Sequence, residues 1–276
     1  MSRLVPPLLA VLLLLHGGPA LAAQPVLGTS FVLRDPVPNV VPSARSIVVL
    51  GKESGSTNTL AGDPIANGAT VEVIVHGATY ASQRFLLPAG AYVAGGAGWR
   101  ALGNPVTGYS YKDSKGINGP VKDVLIRVGA RSSFLLKATI KGSSSTPPDA
   151  QIRVVPPTPG TEASLRLTVN GVDGGGWCVN FGGSAGGQVT NAPTTSDPDR
   201  LFKIVGNGRF PTSRTSCDRT LGISGRSLTV DGVPTFLAGH GYGHLELALG
   251  TDAADDAARG ARIVRIPVRL MGPYGG

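Results

Sequence analysis

Charge is scarce in this sequence: Asp, Glu, Lys and Arg together make up 15% of its 276 residues. Long amphipathic helices carry charged side chains along their wet faces, so a helical bundle is excluded. Aromatics are scarcer still, at 5%, and they are not interleaved with the basic residues. The Lys and Arg residues stand mostly singly, with no run of five, so a net charge of +8 builds no nucleic-acid footprint. Cysteine is limited to Cys178 and Cys217. Neither has a histidine nearby, and two thiols are too few for a metal site. No metal or cofactor is implied. Histidine is limited to four positions, and between the leader and residue 240 there is only His76, read as a strand-end surface residue. Ser, Asp and His do not gather into a catalytic constellation anywhere in 24–217.

Glycine and proline are abundant, at 40 and 22 residues. With few charges beside them, they favour short strands joined by many turns. "SIVVL" (46–50), "TVEVIVHG" (70–77), "QRFLLP" (83–88), "VKDVLIRVG" (121–129) and "SFLLKATIKG" (133–142) are β-branched or apolar runs bounded by turn formers. "QIRVV" (151–155), "SLRLTV" (164–169), the Trp177 stretch and "RLFKIVG" (200–206) continue the pattern. The expectation is a mainly β chain, with an antiparallel β-sandwich or barrel-like region over 24–217. It is one or two modules, with 143–160 as candidate linker. "YSYKDSKGING" (109–119) reads as a solvated hairpin region, and its lone Asp113 falls short of a calcium loop. Neither "GGAGW" (95–99) nor "DGGGW" (173–177) has the Lys-Ser/Thr and helix of a phosphate loop.

Residues 1–23 have a positive start at Arg3, an apolar run over Leu4–Leu15, a Gly17-Gly18-Pro19 break and a small-x-small site at Ala20-Leu21-Ala22. This is a signal-peptide pattern, and the run is short of the roughly 20 apolar residues that span a bilayer. The expected location is secreted or periplasmic. No later apolar run is long enough to hold the chain in a membrane, so no membrane partner is expected after signal cleavage. Export makes a Cys178–Cys217 disulfide the first reading, closing a loop for about 4 kcal/mol in the chain-entropy picture.

After residue 217 the pattern changes. "RSLTVDGVPTFLAGHGYGH" (226–244) holds a short strand, an Asp231-Gly232 turn and a second strand over Thr235–Ala238. "TDAADDAARG" (251–260) reads as a compact helix capped by Thr251 and stopped by Gly260, and "ARIVRIPV" (261–268) as a buried parallel strand. Strand, helix and strand in that order predict a βαβ unit.

Residues 226–274 resemble the opening of a clan A glycoside hydrolase, in particular the cellulase-like family 5. The carriers are a strand pair ending "DGVP", then "FLAGHGYGH", then a helix ending in Gly, then "RIVRIP". The resemblance departs at Ala261-Arg262, where the family has Asn, and at His240, near another family Asn. It implies that 218–276 begins a (β/α)₈ barrel, with Arg265 as the arginine beside the nucleophile. His240 and His244 would lie at the mouth of strand one, as sugar-subsite residues or plain loop histidines. The residues alone equally allow Arg265 to be a strand residue paired with a nearby carboxylate. A full barrel takes about 250 residues, far more than follow Cys217. The family's two catalytic carboxylates belong to later strands, so no catalytic residue is assigned. The resemblance thus implies the N-terminal portion of an exported retaining glycosidase, inactive alone, with a polysaccharide or cell-surface glycan as partner. The region 28–217 resembles β-rich modules of secreted bacterial proteins of unassigned role. The alternative is a non-catalytic extracellular β protein, binding or structural. The oligomeric state is left open.

Overall fold

The computed structural model describes residues 23–215, except 39, 145, 148–149, 172–175 and 192–198, and beyond them the backbone of five short strands. The first part runs β1 Gln24–Val26, β2 Gly28–Arg34, β3 Ser46–Glu53, the short helix α1 Pro64–Asn67, β4 Ala69–Gly77 and β5 Ala81–Leu87. It continues with β6 Gly98–Leu102, β7 Gly108–Lys112, β8 Val121–Gly129 and β9 Ser133–Lys141. β10 Gly160–Val169, β11 Gly176–Gly182, β12 Gln188–Asn191 and β13 Leu201–Val205 follow. The chain is mainly β, as composition required.

Two sheets form. One has five strands in the order β1-β11-β10-β4-β5, the other eight in the order β12-β13-β2-β3-β9-β8-β7-β6. Neighbours pair antiparallel, except that β1 lies parallel to β11. Period-2 sequence makes this geometry two-faced. Along β9, Phe134, Leu136, Ala138 and Ile140 are buried while the residues between them are not. Ala163, Leu165, Leu167 and Val169 do the same along β10. The two inner faces merge into one core. Phe31 of β2 reaches across to Phe181 of β11, ring centroids 5.9 Å apart, and Phe134 of β9 meets Trp177 at 6.0 Å. Gly51 lets the sheets close near β1: a Cβ there would lie 2.9 Å from Val179 Cγ2 and 3.0 Å from Val26 Cγ1.

Strands from both halves of the chain interleave in both sheets, so 24–205 forms one sandwich. The candidate linker 143–160 carries the chain from β9 of one sheet to β10 of the other. "QIRVV" corrects the expectation of a strand at 151–155: no ladder forms there. The segment is held by side chains instead. Gln83 Nε2 donates to Gln151 O at 2.8 Å, Arg153 N donates to Gln83 Oε1 at 2.7 Å, and Arg45 Nη1 donates to Ile152 O at 2.8 Å. Ile152 and Val154 are buried all the same, which is what the apolar pattern had encoded. The 109–119 stretch is also less solvated than expected. Tyr111 lies in the core, and Asp113 is fully buried, accepting from Ile117 N at 2.8 Å and Asn118 N at 2.7 Å.

Farther along, β14 Leu221–Ser224, β15 Ser227–Val230 and β16 Val233–Phe236 form a three-stranded antiparallel sheet. β17 Tyr242–Ala248 and β18 Ile263–Arg269 form a two-stranded antiparallel one. A strand pair flanking residues 231–232 is present as expected, but its second strand starts at Val233 rather than Thr235. The expected βαβ unit pairs "RIVRIP" in parallel with a strand over Thr235–Ala238, whereas β18 lies antiparallel to β17, a strand not expected over 242–248. Antiparallel neighbours need no crossover, whereas a parallel pair needs one of a dozen residues or more, usually helical. The expected helix 251–260 lies outside the described residues, as does the leader 1–22.

Candidate functional site

The outer face of the five-stranded sheet carries a polar groove. Strict alternation aims Leu165, Leu167, Val71 and Val73 inward, so the residues between them face outward. Register then aligns them in rows. Arg166 of β10 stands opposite Glu72 of β4, which stands opposite Arg84 of β5. The next row is Thr168, Thr70 and Leu86. With Asn170 these six residues line a cavity of about 460 Å³, within the range of small-ligand sites.

Glu72 is 4% exposed although it lies on the outer face, and Arg84 Nε reaches its Oε1 at 3.3 Å. This charge-assisted contact orients the guanidinium over the outer face of the sheet. Thr70 Oγ1 lies 3.1 Å from Asn170 Oδ1 and donates to it. Arg166 makes no ion pair among the described residues. Leu86, 43% exposed, supplies the groove's one large apolar surface. The lining therefore offers two guanidiniums, one carboxylate, two hydroxyls, an amide and an aliphatic patch. No aromatic ring lines it. With one carboxylate, already engaged by Arg84, the groove lacks the paired acids that glycoside hydrolysis uses.

The residues singled out in the sequence fall elsewhere. Arg265 lies on β18 directly opposite Glu246 of β17, and His244 lies opposite Pro267. His240 and Cys217 lie outside the described residues. Cys178 is on the outer face of β11, 3% exposed, opposite Arg166. His76 is the next-to-last residue of β4, with its ring edge-on to Tyr80 at 4.8 Å. Among the described residues no three of His, Cys, Asp and Glu converge as metal ligands, and no helix is long and apolar enough to cross a membrane.

Elsewhere on the sandwich, residues 212–215 cross from one sheet to the other. Thr212 Oγ1 donates to Gly28 O, Ser213 N to Ala185 O at 2.8 Å, and Asn180 Nδ2 to Thr215 Oγ1 at 2.8 Å. Arg214 Nε donates to Glu53 Oε2 at 2.8 Å. Sequence reasoning missed this strap and the groove alike. The signal for the groove was the polar set within "TVEVIV" and "SLRLTV", whose register across strands was unknown. No family model, no curated protein and no solved structure matches this chain.

Proposed function

We propose that this is an exported, non-catalytic β-sandwich protein that binds a polysaccharide or cell-surface glycan through the groove on its five-stranded sheet. The observation that carries the reading is the lining itself. Hydroxyls, an amide and guanidiniums on three rigid strands give directional hydrogen bonding to sugar hydroxyls, and Leu86 offers a surface for sugar C–H groups. The leader-like 1–23 and the Gly- and Pro-rich composition support an extracellular setting. The finer reading of 218–276 as the opening of a hydrolase barrel draws on sequence resemblance alone, and the antiparallel β17–β18 pair does not favour it.

The test is affinity electrophoresis in gels containing neutral and acidic polysaccharides, with reducing-sugar release measured in parallel. The expected outcome is retardation by at least one glycan, weakened by Thr168→Ala with Asn170→Ala, and no sugar release. Turnover abolished by Glu246→Gln or Asp231→Asn would overturn this reading and restore the hydrolase.

A further inference from the structure

We infer that the glycan taken by this groove is acidic, with a carboxylate or sulfate group seated on Arg166. The inference rests on the glycan-binding reading and deepens it. The groove holds two guanidiniums against one carboxylate. Arg84 already pairs with that carboxylate, and a half-buried Arg166 is left with no ionic partner among the described residues. A guanidinium is always charged and presents a planar fork that fits a carboxylate or sulfate edge. The neighbours fit the rest of a sugar. Thr168 lies two positions along β10 from Arg166, on the same face, and Thr70 stands opposite Thr168. These hydroxyls can accept from ring hydroxyls next to the acid group. Neutral polysaccharides are commonly gripped by stacking sugar faces on aromatic rings, and no ring lines this groove. An acidic ligand can be selected without such a platform, because charge complementarity supplies specificity and steers association.

The experiment uses the chain starting at Gln24, which keeps every described strand. Binding is measured by calorimetry to polygalacturonate and to the same polymer fully methyl-esterified, which removes charge and keeps the backbone. Dextran sulfate and dextran form the second pair, so that carboxylate and sulfate are told apart. The acid form of at least one pair should bind at least about tenfold tighter than its neutral form, the usual worth of a hydrogen bond to a charged group. Arg166→Gln should erase that preference, bringing the acid form of each pair down to the level of its neutral form. Arg127→Gln, which removes the same charge from an exposed position on the eight-stranded sheet, should leave the preference intact. Equal binding of acid and neutral forms overturns the inference while keeping the glycan reading. A preference that survives Arg166→Gln, or falls equally with Arg127→Gln, assigns it to the general +8 charge and also overturns the inference. No binding to any of the four polymers overturns both.

Discussion

Arg214 and Glu53 stand 161 positions apart in sequence and 2.8 Å apart in space. Glu53 is 5% exposed and its carboxylate is fully used. Oε2 also accepts from Leu27 N at 3.0 Å, and Oε1 accepts from Asn58 Nδ2 at 2.8 Å and from the Ser56 hydroxyl. One side chain of β3 thus anchors the chain entering β2, the 56–58 turn and the strap. Glu53→Gln turns an acceptor into a donor against Arg214 or Leu27 N. It should cost about 3 kcal/mol in urea unfolding, the scale of a broken buried pair. Arg214→Ala should cost clearly less, because Arg214 is 37% exposed and water can replace it. Equal costs would show that Glu53 acts through Arg214 alone.

A second buried pair makes a different prediction. Arg45 Nε and Asp35 Oδ2 lie 3.0 Å apart with side chains 6% and 1% exposed. Arg45→Met removes a buried ionic partner from the Asp35 carboxylate and the donor to Ile152 O, so it should cost about 3 kcal/mol. Adding Asp35→Leu should recover part of the loss. A double variant less stable than the single would mean that Asp35 is held mainly by other partners.

Cys178 and Cys217 should be joined in exported protein. Asn180, two residues beyond Cys178, holds Thr215, two residues before Cys217, and no free cysteine occurs among the described residues. Intact-mass analysis after alkylation without reductant should find no modified thiol. Reduction should lower stability by about 4 kcal/mol in the loop-entropy picture. Two alkylated cysteines in unreduced protein would refute the bridge.

Tyr111 supplies an alkaline signature. Its pKa is raised above the ordinary 10.0, first by burial, with the Asp113 charge adding and the Asn118 hydrogen bond opposing. A raised folded value means that the contribution is complete below the unfolded pKa and is lost as pH rises through the folded one. Stability should therefore fall above about pH 10. Tyr111→Phe should flatten that fall, at a neutral-pH cost of about 1 kcal/mol for the lost bond from Asn118 Nδ2. Unfolding midpoints measured across alkaline pH for both proteins decide it.

Strands were legible wherever alternation was clean. "VKDVLIRVG" spans β8 residue for residue, and "TVEVIVHG" misses β4 by one. Alternation sorts residues between faces, but it does not reveal which strands lie side by side. That is why 24–217 stayed one module or two, and why Arg166, Glu72 and Arg84 did not stand out as a set. They come from separate strands, and only the register joins them. "QIRVV" failed for another reason. Its apolar period encoded burial correctly, but Gln83 offered a side-chain amide as substitute ladder partner, and nothing local to 151–155 reports that. The tail resemblance drew on residue order, which does not distinguish a crossover from a direct antiparallel return.

β1, the three residues Gln24–Val26, finds its partner near the far end of the sandwich sequence. Gln24, Pro25 and Val26 pair with Trp177, Cys178 and Val179, and β2 completes its hydrogen bonding only against β13. The earliest strands to leave a ribosome or a translocation pore therefore wait for the latest ones. Such long sequence separations slow folding, because loop closure precedes the contacts that reward it. The sandwich of a nascent chain cannot be completed until β13, ending at Val205, has emerged. Refolding from denaturant should accordingly show no early protection of β1 amides or of the β2 amides that face β13, with both gaining it together with β11 and β13, while the β2 amides that face β3 are free to gain it earlier.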